Sequence, residues 1–147
     1  MNGKAHATIG LLAGTGTGLA LSIEANRRPA FAEVCGWAVG GVGGAKLPDI
    51  LEPAIHPSHR KFCHSGTVLA ADFAFLQSGT MKSWIQYLHN EATNQRAKAL
   101  TDPNNAIWHS IAALILEFLA GLLPAIPARY ASHLLADLTT PCGLPIC

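Results

Sequence analysis

The 147-residue chain is expected to be all-α, a single compact bundle of about five to six helices, partly membrane-embedded or membrane-associated. Three observations predict this. No run shows convincing two-residue alternation, the mark of a half-buried strand. Several apolar stretches run instead to helix length between polar breaks. Glycine also recurs every fourth residue in two rows, Gly10/Gly14/Gly18 and Gly36/Gly40/Gly44, each a flat groove along one helix face. A chain of this length makes one domain with room for a real core.

The first helix is expected over 5–23, almost uncharged and rich in Ala, Leu and Gly, stopped by Glu24 and the polar turn Asn26-Arg27-Arg28-Pro29. A second apolar segment, 30–45, ends at Lys46 before a loop broken by Pro48, Pro53 and Pro57. The third is expected to begin near Ser58, a good N-cap, and to run through Gln77, closed by Ser78-Gly79. Residues 80–100 form an amphipathic helix, with Trp84, Tyr87 and Leu88 at helical spacing against Lys82, Gln86, Glu91 and Lys98. Asp102-Pro103-Asn104-Asn105 is a turn and N-cap signal. A fifth helix is expected over 106–123 and a sixth after Pro127, because proline interrupts a helix.

The glycine rows read as packing surfaces. In a water-exposed helix each glycine costs about 1 kcal/mol relative to alanine, whereas small-xxx-small rows are a common device for helix contact in bilayers. The rival is a phosphate cradle in Gly14-Thr15-Gly16-Thr17-Gly18, but no clear strand precedes it. The 5–23 and 106–128 stretches reach the ~20 residues of a spanning helix, though the second holds His109 and Glu117. Segments 30–45 and 66–79 are short for spanning, and mean hydropathy is only +0.27. A bundle sunk partly in the membrane, with its site at the interface, fits these lengths; a soluble bundle is the alternative.

A net charge of +1 and 13% charged residues argue against a nucleic-acid surface. Arg27–Arg28 read as loop charges. Cys35, Cys63, Cys142 and Cys147 form no CxxC pair, which excludes a zinc ribbon or thioredoxin-like site. Cys142 and Cys147 either pair or stay free, and free thiols in a reducing compartment are the simpler reading. No cleavable signal peptide is expected, since Lys4 is a thin n-region and the apolar stretch after it contains His6 and runs on without a clear A-x-A site.

The residues that carry chemistry lie in LPDILEPAIHPSHRKFCHS (47–65) and ASHLLADLTTP (131–141). Asp49, His59, His64, His133 and Asp137 pair imidazole with carboxylate, the donors that bind a catalytic divalent metal. A single histidine in apolar surroundings is ordinarily a core residue bonded to a carbonyl; two clusters that each include aspartate point to a metal. His133 and Asp137 are four apart and share a helix face. His59 and His64 are about 140° apart on a regular helix, so they converge only if His59 precedes its first turn. Asp49 sits on the proline-broken loop.

These stretches resemble the bacterial YdjM-type family of membrane-associated metal-dependent hydrolases. That family has an N-terminal histidine before a Gly-rich apolar segment, then LPD-x-D, HR-x-x-x-HS and H-x-x-x-D-x-x-T-x-x-G. The matching stretches here, AHATIG, LPDILE, HRKFCHS and HLLADLTTPCG, occur in that order over nearly the whole chain. Leu51 replaces the second aspartate, with Glu52 beside it, and Cys63 stands where the family often has a small hydroxyl residue. A more distant likeness is to the all-helical zinc phospholipase C and P1-nuclease group.

The resemblance implies a hydrolase acting on a phosphoester, conceivably a phospholipid, at a bacterial inner membrane, with a soluble cytoplasmic form as the alternative. Asp49, His59, His64, His133 and Asp137 would hold one or two divalent ions, zinc first, with manganese or magnesium as alternatives. His6 would be a further ligand. Arg60 is suited to an anionic substrate oxygen, because a guanidinium matches phosphate in two-pronged fashion. Glu52, Ser65 and Asp72 would support the ligands. Two carboxylates fall in apolar runs, Asp72 and Glu117, and each needs a partner; Glu117 is expected to bond a neighbouring helix. His89 reads as solvated, His109 as a core residue, and His56 as a residue bordering the site loop. The competing function is a membrane-embedded metal-binding or transport protein without a hydrolytic step.

Overall fold

The structure, a computed structural model, describes residues 3–44 and 65–138, with side chains over 8–44 and 65–135. Its described residues form five helices and no strand: α1 (Gly3–Glu24), α2 (Phe31–Gly44), α3 (Gly66–Gln77), α4 (Gly79–Thr101) and α5 (Ala106–Leu138). The protein is all-α, with α5 as the central helix against which the other four pack.

Local chemistry explains most boundaries. α1 ends in a Schellman turn: Asn26 has φ 50°, its N–H donates to the Ile23 carbonyl, and the Arg27 N–H donates to that of Ser22. Ser78 closes one helix and opens the next. Its hydroxyl donates to the Phe75 carbonyl at 2.6 Å and accepts from the Met81 N–H at 3.1 Å. Phe75 and Trp84 then meet edge to face across that corner, 6.2 Å apart. α3 starts at Gly66, after an extended Ser65 whose hydroxyl accepts from the Val68 N–H. It does not run continuously from Ser58 as the sequence led us to expect.

The second departure concerns the last helix. The expected break at 124–127 is absent, and α5 runs unbroken through Pro124 and Pro127. Each proline removes one donor and crowds the preceding turn. Packing outweighs that cost, because α2 grips α5 on both sides of the prolines. Gly36 lies against Phe118 and Leu122, and Gly44 against Ile126 and Arg129.

Glycine makes these approaches possible. A Cβ at Gly14 would come 2.7 Å from the Trp37 carbonyl oxygen and 2.9 Å from the Gly41 Cα. One at Gly36 or Gly121 would overlap the facing backbone outright, at the Phe118 and Glu33 carbonyls respectively. Both rows therefore face a neighbouring helix, and the 14–18 stretch lies inside α1, with no loop to cradle a phosphate.

The interior is correspondingly small-featured. Buried apolar positions include Ala92, Ala113, Ala120, Ala125, Ala128 and Ala131, whereas Leu12, Phe31, Ile107, Ile111, Leu114 and Ile115 face outward. Spacings of three and four place the exposed α5 residues in one stripe. The stretch 106–135 contains an 18-residue window with a mean hydropathy of 2.1 and is long and apolar enough to cross a membrane.

Ion pairs join the helices. Arg96 grips Glu117 with two bonds of 2.9 Å, tying α4 to α5, so Glu117 has the neighbouring-helix partner expected of it. Because Glu117 is buried and Arg96 largely exposed, Arg96→Met should cost about 2 kcal/mol by stranding a carboxylate. Adding Glu117→Leu should recover most of that. Urea unfolding of the two singles and the double measures it; a double variant no more stable than Arg96→Met would deny the pair its role.

Candidate functional site

Three chain segments meet at one end of the bundle. α1 runs antiparallel to α2, with Gly10 against Gly41 and Gly18 against Trp37. α2 runs alongside α5 in the same direction, Gly36 at Phe118 and Gly44 at Ile126. The start of α1, the end of α2 and the last turns of α5 therefore lie at the same level. His6 is in the helical backbone one turn before Gly10, and Asp137 one turn beyond His133.

His133 is buried, 4% exposed, on the same face of α5 as Arg129. The side chains of His6 and Asp137 lie outside the described residues, as do Asp49, Glu52, His59, Arg60 and His64 altogether. Among the described residues no three His, Cys, Asp or Glu side chains gather as a metal site. Ser65 is buried and caps α3. Asp72 is half-buried and reaches the Ala131 backbone N–H, which is about 200° around α5 from His133. Burial raises its carboxyl to about 6, with the Ala131 bond opposing. The expected third helix would have carried His64 and Asp72 together, but α3 begins only at Gly66.

Sequence reasoning missed three groups. Arg129 is fully buried on α5, and its signal was a lone arginine in the apolar run PAIPARYASHLL. Arg27, taken for a loop charge, clamps buried Glu33 through two bonds of 2.7 and 2.6 Å. His89, taken for a solvated residue, is half-buried with its Nε2 3.4 Å from the same carboxylate. Burial alone would raise Glu33, but hydrogen bonds and charge from His89 and Arg27 outweigh it and hold the carboxyl at about 2. The Schellman turn explains the clamp, since it throws Arg27 back toward the first turn of α2. His109, read as a core residue, is half-buried and bonds Gln95 through Nδ1 at 2.8 Å.

Beside the Glu33 cluster lies a cavity of about 180 Å³ lined by Leu21, Glu24, Arg27, Lys82, Gln86 and His89. A Lys82–Glu24 bridge of 2.6 Å crosses its wall. It sits where α1 ends, at the opposite end of α1 from His6, and its charges are already paired with one another. No family model, curated protein or solved structure matches this chain.

Proposed function

We propose that the protein is a metal-dependent hydrolase of the YdjM type, working on a phosphoester at a membrane surface. The observation that carries this reading is the meeting of chain segments just described. The helical ends that bear His6, His133 and Asp137 share one end of the bundle with the end of α2, after which the sequence continues into the segment with Asp49, His59, Arg60 and His64. Imidazole and carboxylate donors suit zinc. A bound zinc would lower the pKa of its water toward neutrality. His133 and Asp137 hold the ion in this reading, and Arg60 holds an anionic oxygen of the substrate.

Membrane association is supported by the outward-facing Leu, Ile and Phe side chains around an alanine and glycine interior, the arrangement by which helices pack in lipid.

Elemental analysis of protein purified without added metal should find a stoichiometric divalent ion. Asp137→Asn and His133→Ala should each lower metal content, and turnover of a phosphodiester or phospholipid should fall by more than the ~10–100-fold typical of outer-shell changes. Far-UV circular dichroism should remain helical. Activity should also fall in acid as the histidine ligands protonate. Stoichiometric metal with ion movement across vesicles and no phosphoester cleavage would sink the hydrolase reading.

A further inference from the structure

Arg129 is the least satisfied group in the described interior. It is 0% exposed, and among the described residues its one hydrogen bond runs from Nη1 to the Ser132 hydroxyl at 3.3 Å. Nε and Nη2 have no hydrogen-bond partner among the described residues. Those two atoms form one edge of the guanidinium fork, the edge that grips two oxygens of a single anion side by side. Ser132 in turn donates to the Arg129 carbonyl at 2.8 Å, which fixes the opposite edge and leaves the Nε/Nη2 edge turned away.

No described carboxylate answers that edge. Glu33 is held by Arg27 and Glu117 by Arg96. Asp72 meets α5 at Ala131, about 200° around the helix from Arg129. Gly10 lies beside Nε and has no side chain, because a Cβ there would overlap the Arg129 Nε and Cδ. A guanidinium cannot escape burial by losing its proton, and an unpaired buried cation is costly. A group that is both expensive and pre-oriented is what an anion site looks like without its anion.

We propose that the Nε/Nη2 edge of Arg129 binds a tetrahedral phosphoryl oxyanion, one helical turn from His133. The identification of the anion as the phosphoryl group of a substrate rests on the hydrolase reading above; the presence of an anion site does not.

The test uses the full chain, stripped of metal with a chelator, titrated with inorganic phosphate while thermal unfolding and calorimetric binding are followed. Wild type should bind phosphate and gain thermal stability. Arg129→Met should bind at least roughly 30-fold more weakly, and Arg129→Lys, which keeps the charge but loses the fork, should fall between them. In phosphate-free buffer Arg129→Met should be as stable as wild type or more so, because it removes an unpaired charge.

A phosphate affinity unchanged in Arg129→Met would overturn the proposal. So would a large loss of stability in that variant without phosphate, which would mean the guanidinium is paired within the protein. A lipid arm separates the sources of the anion: preference for phosphatidic acid over phosphatidylcholine vesicles, lost in Arg129→Met, points to a headgroup, and phosphate binding alone to a soluble phosphoester. Phosphate binding that survives chelation and His133→Ala, with no metal found in native protein, would uphold the anion site and remove the hydrolase.

Discussion

Gly36→Ala is expected to destabilise the protein by roughly 3 kcal/mol, the upper end for an overpacked site, while Gly16→Ala stabilises it by up to about 1 kcal/mol. The two substitutions are chemically identical and both fall in helices. A methyl at Gly36 would overlap the Phe118 carbonyl oxygen and come 2.8 Å from the Leu122 nitrogen. These are backbone atoms of α5, so relief requires moving a whole helix. At Gly16 nothing lies within 4 Å, and alanine there only restricts the unfolded chain and improves helix propensity. Gly36→Leu should prevent folding altogether. Denaturant unfolding of the three variants decides it. Equal stability of Gly36→Ala and wild type would mean that α2 and α5 do not touch along this face.

Glu33→Gln should cost about 3 kcal/mol at neutral pH, since breaking a buried pair leaves a charge without its partner. Arg27 keeps some exposure, 24% of its side chain, which holds the cost at the low end of that range. The same pair sets an acid limit. With a folded-state value of about 2 against an ordinary 4.5, Glu33 contributes its stability fully above about 4.5. That contribution is lost as pH falls through about 2, and it amounts to something on the order of 3 kcal/mol. Wild type should therefore lose more stability than Glu33→Gln between pH 5 and pH 2, by roughly this amount. Unfolding curves collected across that range measure it. Parallel losses in the two proteins would show that Glu33 is not the acid-sensitive group.

The candidate site was only partly legible, for reasons that particular residues make plain. His133 stood out because Asp137 follows it four residues later, on the same face of a helix. Arg129, four residues earlier, did not. A lone arginine in an apolar run ordinarily reads as a side chain that snorkels to a polar surface, and the close approach of Gly10 and Gly44 makes it an interior group. The Arg27–Glu33–His89 cluster was hidden for a related reason, since Glu33 and His89 lie on different helices and no local pattern links them.

What the sequence determined by itself was whatever depends on residues a few positions apart. The all-helical class, the ends of α1, α2 and α4 and the contact role of the glycine rows all follow from periodicity, capping hydroxyls and spacings of four. The tertiary structure alone decided the rest: which carboxylate each arginine meets, that Arg129 points inward, and that α5 continues through Pro124 and Pro127. A proline's missing hydrogen bond is a local cost, readable anywhere in a chain. The burial that outweighs it comes from α2, eighty or more residues away from those prolines in sequence, and it exists only once the helices have packed.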